Sequence, residues 1–319
     1  MKSNQKICAF FKNKLIVITG GGSGLGLELA SEICSYGGKV ILIGRNIKRL
    51  QRGQQAILNK TAEAFVAIYS QDVSEYSAME QLFNKIHTQY GAINGVFVNA
   101  SQVHINDFRR IPAATIQQIL NTNINGAIYT AKTSLPHLDE KDAFLAFTCS
   151  IAGYISAPES SLYSASKAAI ISFSKNLSQE LAPRGVHVLT FSPGFFKTTF
   201  TQGATATPFL IPVERVARHY LHAVISKQKE VIVPLKVRWL LPVWKYITAI
   251  FVNTGFSTFA TKRMHQFYGQ GQPNLDVNKE SLIQDRFGFR HLISGFSFNK
   301  GVANWLHDQF GVKREPRSD

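Results

Sequence analysis

Leu15-Ile16-Val17-Ile18-Thr19-Gly20-Gly21-Gly22-Ser23-Gly24-Leu25-Gly26 is the stretch on which the fold turns. Its first four residues are a continuous apolar run, the pattern of a strand covered on both faces; a half-exposed strand would alternate apolar with polar. The glycines that follow let the chain turn tightly and bring its backbone close to a pyrophosphate. The free N–H groups and dipole at the start of the next helix stabilise that charge. A glycine-rich turn alone is equally compatible with a plain tight loop. Its position between a strand and a helix favours phosphate binding.

Outward from this point, short apolar runs alternate with helical patterns. Strands are predicted at Lys39 to Ile43, Ala64 to Tyr69, Gly95 to Val98, Phe144 to Thr148, Val186 to Phe191 and Glu230 to Val233. Helical stretches lie near 24–36, 46–58, 75–89, 112–137, 161–182 and 213–226. With the first strand this makes about seven, and strands separated by helices imply an α/β fold: a doubly wound, Rossmann-type parallel sheet. After Pro234 the alternation stops. An apolar segment rich in Trp and Tyr follows, then a polar, basic end. The expected organisation is an N-terminal arm at 1–12, a Rossmann-fold catalytic domain at 13–234, an apolar interfacial or lid segment at 235–260 and a basic tail at 261–319.

The 319 residues are 45% hydrophobic and 17% charged, ample material for a core. A net charge of +15 favours polyanions of some kind. Neither zinc-finger spacing nor an RNA-binding string accompanies it, so nucleic acid is not an expected partner. Cys8, Cys34 and Cys149 are odd in number and far apart, which points away from a disulfide framework or a thiolate metal site and toward a cytoplasmic location. The apolar run near the N-terminus is too short for a signal-peptide core or a spanning helix.

The spacing T-G-x-x-x-G-x-G resembles the short-chain dehydrogenase/reductase family, and the resemblance runs from about Asn13 to Pro234. It implies that Thr19, Gly20, Gly22, Ser23, Gly24, Leu25 and Gly26 bind a nicotinamide dinucleotide. Where NAD-preferring members carry an acidic residue at the end of the second strand, this chain has Gly44 followed by Arg45. Loss of the carboxylate makes room for a 2′-phosphate, which a guanidinium can pair with. NADPH or NADP rather than NADH is therefore expected, the alternative being a solvated Arg45 on a basic helix. Asp72 and Val73 match the family's adenine-contacting pair, although Asp72 could equally cap the next helix. Asn99 and Ala100 match its backbone contact to the cofactor. The family's next glycine is replaced by Ser101, which is expected to narrow the path beside the ribose.

Tyr163 and Lys167 are four residues apart, so on a helix both emerge from one face. A phenol is a weak acid with a pKa near 10, and an ammonium within reach lowers that value. Ser150, thirteen residues before Tyr163, lies just past a predicted strand. In the resembling family a serine there orients the substrate oxygen, Tyr163 exchanges the proton and Lys167 also holds the nicotinamide ribose. Asn123 is the family's N-x-x-G asparagine, implied to hold a water that links the lysine to solvent; Asn121 and Asn125 are its competitors. Pro193, Gly194 and Thr198 match the segment that contacts the nicotinamide carboxamide.

The reaction implied is hydride transfer between NADPH and a carbonyl. In layout the chain resembles the lipid and steroid enzymes that include 3-ketosphinganine reductase, so a lipophilic substrate is expected. Trp239, Trp244 and Tyr246, with Lys236, Arg238 and Lys245, suit a membrane interface on the cytosolic side. A lid over the pocket or a dimer contact would use the same residues of 235–256. A homodimer or homotetramer is the expected assembly. A non-catalytic NADP(H)-binding regulatory protein is the alternative from another class.

Overall fold

The seven strands fall almost where the apolar runs place them. They are β1 Leu15–Thr19, β2 Lys39–Gly44, β3 Val66–Ser70, β4 Gly95–Val98, β5 Phe144–Thr148, β6 His187–Pro193 and β7 Glu230–Val233. The structure is a computed structural model and describes residues 2–139, 141–155, 159–194, 196 and 211–234. Thr198, the segment at 235–260 and the tail at 261–319 lie outside the described residues. The strands form one parallel sheet in the order β3-β2-β1-β4-β5-β6-β7.

Alternation along each strand explains the continuous apolar runs. Ile16 and Ile18 of β1, Val40 and Leu42 of β2, and Phe144 and Ala146 of β5 face one layer. Leu15 and Val17, Ile41 and Ile43, and Leu145 and Phe147 face the other. The first layer contains helices α1 Lys2–Phe11, α2 Gly24–Ser35, α3 Ile47–Lys60 and α8 Val213–Ile225; the second contains α4 Tyr76–Tyr90, α6 Gly126–Ser134 and α7 Ser161–Leu181. A Val, Ile or Leu buried in this way contributes about 1.5–3 kcal/mol, so neither face of the central strands can carry a polar residue without loss. Among the described residues, no helix is long and apolar enough to cross a membrane.

Two features differ from expectation. The N-terminal arm is the helix α1. Ile7 and Phe11, four residues apart and so on one face, are both buried. Phe11 meets Phe144 edge-on at 6.4 Å. Asn13, with φ at 62°, turns the chain from that helix into β1, a left-handed position that asparagine tolerates better than most residues. Two contact residues in a single short helix leave too little periodicity to read in the sequence. The helix predicted over 112–137 is interrupted: α5 Ala113–Leu120 passes through a π-helical turn, Asn121–Asn125, before α6 begins. Such a turn inserts one residue into the ladder and often marks a functional position.

Because the Phe11 ring is fully enclosed, Phe11→Ala is expected to lower the free energy of unfolding by about 3–5 kcal/mol in urea titration. A loss below about 1 kcal/mol would show that α1 is not part of the cooperative core.

Candidate active site

The sheet order reverses direction between β1 and β4, and a crevice opens there at the carboxyl ends of the strands, the place where open α/β sheets receive ligands. Thr19 sits at that point and is fully buried. Its hydroxyl donates to the Phe97 carbonyl at 3.3 Å and accepts from the Asn99 and Ala100 amides at 3.0 and 3.1 Å. That is the whole capacity of a hydroxyl. Expected as a cofactor contact, the Thr19 side chain instead shapes the crevice floor, having neither exposure nor a free hydrogen-bonding position. The Asn99 amide likewise turns inward, donating to the Thr19 carbonyl at 3.0 Å.

The glycine turn is as close-set as a phosphate cradle requires. Gly20 has φ at +67°, and a Cβ at Gly26 would come within 2.5 Å of the Gly20 carbonyl oxygen. Gly24 is also left-handed, with φ at 56°. Ser23 is the N-cap of α2, yet its side chain caps nothing. The first-turn N–H groups, which a helix cannot satisfy internally, are thus not taken up by it. These are the features that a pyrophosphate needs.

At the adenine side, β2 ends at Gly44 and Arg45 follows. The Arg45 guanidinium lies 3.6 Å from Asp72 Oδ2. Asp72 Oδ1 accepts from the Ser74 amide at 3.0 Å and the Ser74 hydroxyl at 2.8 Å. The carboxylate therefore both braces the turn ahead of α4 and faces the crevice arginine. Val73 is buried and packs so closely on Gly126 that a Cβ there would meet Val73 Cγ2 at 2.4 Å. This close approach accounts for the glycine three residues after Asn123.

Ser150, Tyr163 and Lys167 converge past the end of β5. Ser150 opens a 3-10 turn, Ile151–Gly153, its Oγ accepting from the Ala152 amide at 3.1 Å. Gly153 lies so close to α7 that a Cβ would fall 2.9 Å from the Ala168 nitrogen. The turn is thereby held against the helix that carries Tyr163 and Lys167. The Lys167 ammonium donates to the Thr148 carbonyl at 2.9 Å and lies 5.7 Å from the centre of the Tyr163 ring. Burial pushes the Tyr163 phenol up to about 12, while a hydrogen bond from the Ser150 side chain pulls the other way. Burial also brings Lys167 down to about 8. In the free chain desolvation is the largest influence on the half-buried Tyr163 phenol.

Of the three candidate asparagines only Asn123 turns inward. Asn125 donates to Asn121 at 3.0 Å, whereas Asn123 is buried at 2% exposure. Its Oδ1 accepts from the Gln102 amide at 2.7 Å and from the Ser101 hydroxyl at 3.2 Å. Its Nδ2 donates to the Gln102 carbonyl at 2.9 Å and to Ser166 Oγ at 3.0 Å. All four positions of the amide are used. Through these bonds the side chain fixes the strand-end loop to α7. Ser101, Gln102 and Ser166 were not among the residues picked out for cofactor binding or catalysis. The one sequence signal for them was the serine in place of glycine at 101. At the far side, Pro193 closes β6, and the Gly194 amide donates to the Val233 carbonyl at 2.6 Å.

Residues 14–208 match the family model for short chain dehydrogenases. An uncharacterized oxidoreductase of Staphylococcus aureus (strain MRSA252) is 32% identical over 197 residues, 61% of this chain and 83% of that protein. The 11-beta-hydroxysteroid dehydrogenase 1A of Arabidopsis thaliana is 30% identical over 191 residues, covering 60% of this chain and 54% of its own. Among solved structures, a short chain dehydrogenase/reductase from Burkholderia phymatum in complex with NAD has a TM-score of 0.67 at 22% identity, covering 73% of this chain and 92% of that one. A short chain dehydrogenase from Burkholderia cenocepacia in complex with NADP has a TM-score of 0.63 at 20% identity, with 70% and 96% covered.

An enclosed ammonium should be measurable as a stability cost. With Lys167 near 8 in the folded chain against 10.5 when free, that cost is about 3 kcal/mol at pH 7. Between about pH 8 and 10.5 the unfolded chain keeps a proton that the folded one has released, so stability rises with pH there. Lys167→Met is expected to melt about 5 °C higher than the unsubstituted chain at pH 7, with the gap closing toward pH 10.5. A lower melting temperature for the methionine variant at pH 7 would sink this account.

Proposed function

The chain belongs to the short-chain dehydrogenase/reductase family and is a NAD(P)-dependent oxidoreductase; from that premise we propose that it interconverts a lipophilic ketone or aldehyde and the corresponding alcohol, using NADPH and Tyr163 as the proton-exchanging group. The observation that carries this reading is the convergence of Ser150, Tyr163 and Lys167 beside the crevice, on elements locked together at Gly153.

In the direction of reduction, a phenol held near 12 keeps its proton throughout the neutral range and is ready to donate it. The Ser150 hydroxyl, beside that phenol, would hydrogen-bond the same substrate oxygen as charge builds on it. Once the proton has left, the Lys167 ammonium near the ring opposes the charge of the phenolate. A lysine near 8 is still mostly protonated at pH 7 and so can do this. A reduced nicotinamide dinucleotide bound along the crevice would supply the hydride.

In this reading the glycine turn and the start of α2 hold the pyrophosphate, with Gly20, Gly22, Ser23, Gly24, Leu25 and Gly26 around it. Asn99 and Ala100 offer backbone to the ribose side, Asp72 and Val73 flank the adenine, and Arg45 takes the 2′-phosphate. Pro193, Gly194 and Thr198 are assigned to the carboxamide on their match to the family's segment. The absence of a carboxylate at Gly44 and the placement of Arg45 at the crevice rim support NADPH over NADH. The named activity of the Arabidopsis relative and the apolar run at 235–256 support a lipophilic substrate that reaches the site from a membrane surface. An intact set of proton-handling residues disfavours a non-catalytic binding role.

Tyr163→Phe is expected to reduce turnover of a ketone panel by roughly a hundred- to ten-thousandfold while NADPH still binds. Near-normal turnover would remove Tyr163 from the chemistry. The full chain is expected to float with anionic vesicles, and a chain ending at Pro234 to remain behind; equal flotation of the two would end the membrane reading.

A further inference from the structure

The Arg45 side chain reaches across the crevice as well as along its rim. In the sheet, β1 lies between β2 and β4. Arg45 follows β2, and Gln102 stands four residues past β4. A contact between the two must therefore pass above the carboxyl end of β1 and its glycine turn, where a dinucleotide would lie. Such a contact is present. With the Gln102 amide turned so that each of its polar atoms faces a complementary group, its oxygen accepts from Arg45 Nη1 at 3.1 Å, from Nη2 at 2.6 Å and from the Thr122 hydroxyl at 3.0 Å. Nη1, one of the two nitrogens that meet Gln102, also lies 3.6 Å from Asp72 Oδ2. Gln102 is itself anchored, its backbone bonded in both directions to the Asn123 amide.

We propose that Gln102 holds Arg45 as a strap over the cofactor crevice of the free enzyme, and that a nicotinamide dinucleotide must displace this strap to bind. Release weakens both cofactors alike, because each needs the same space. A 2′-phosphate then gives the freed guanidinium a new partner, which NADH lacks. Only this last step rests on the pairing of Arg45 with the 2′-phosphate proposed above. Gln102, which need not touch the substrate, thereby sets the affinity for both cofactors. Since a cofactor's apparent affinity falls with the fraction of protein whose crevice is open, loosening the strap should tighten binding without any new contact.

The test is the dissociation constants of NADPH and NADH for the full chain, read by cofactor fluorescence. Gln102→Leu, which removes the acceptor at similar size, is expected to tighten both cofactors by roughly three- to tenfold. Gln102→Glu adds a charge to the acceptor and is expected to weaken both by a similar factor, an effect that fades as salt is raised. These opposite directions separate the strap from simple damage to the fold. An unchanged or weaker NADH affinity in Gln102→Leu, an unchanged or tighter one in Gln102→Glu, or a gain confined to NADPH would overturn the proposal. Arg45→Ala distinguishes the two readings. Tighter NADH with weaker NADPH supports both, whereas tightening of both cofactors supports the strap and refutes the 2′-phosphate role. Unchanged or weaker NADH binding in Arg45→Ala would overturn the strap.

Discussion

The Thr19 hydroxyl joins the two halves of the sheet at the point where they diverge. β1 and β4 are neighbours through only three register pairs, Ile16 with Gly95, Val17 with Val96 and Ile18 with Phe97. Beyond them the chains must separate to leave a crevice, and each departing backbone group would lose its partner. One fully buried oxygen accepts the Asn99 and Ala100 amides and donates to the Phe97 carbonyl. A buried amide without a partner costs about 1–3 kcal/mol, so this arrangement lets the ladder stop without exposing the floor to water. The glycine turn, the Asn99 amide and the loop carrying Ser101 and Gln102 all start from that fixed point.

The chemistry is built against stability. Lys167 is enclosed with one carbonyl partner, and Tyr163 sits where its charged form is disfavoured. A core chosen for stability alone would not place an ammonium there. In the proposed reaction the same burial would serve both groups, keeping the phenol protonated and leaving the ammonium unscreened by water, where its effect on a nearby developing anion is largest. Tension of this kind between local cost and global order is expected at functional sites.

Asn123 organises the region. Asn121 and Asn125, four residues apart, share a face and bond to each other, whereas Asn123 between them lies inward within the π-helical turn, where its amide joins the strand-end loop to Ser166 on α7. Ser166 in turn donates to the Tyr163 carbonyl at 2.7 Å. A continuous set of hydrogen bonds thus connects Arg45 and Gln102 at the crevice with the helix bearing Tyr163. Because every member is satisfied, the network can hold its geometry without loss of stability.

The number, order and type of the strands were legible in the sequence because burial on both faces imposes an apolar residue at every position, a signal that neighbours cannot erase. The glycine turn and the Tyr163–Lys167 pair were legible because their spacing matches the geometry of a tight turn and of a helical face. Partnership was not legible. That Thr19 is consumed by β4, that the Asn123 amide is saturated, and that Arg45 meets Gln102 all depend on residues about twenty to eighty positions apart coming into contact. Sequence by itself determined which local shapes the chain adopts, since those follow from backbone sterics and the hydrophobic period. Only the tertiary structure decided how each polar group spends its hydrogen bonds and how far each charge is removed from water, because both depend on distances that no local pattern encodes.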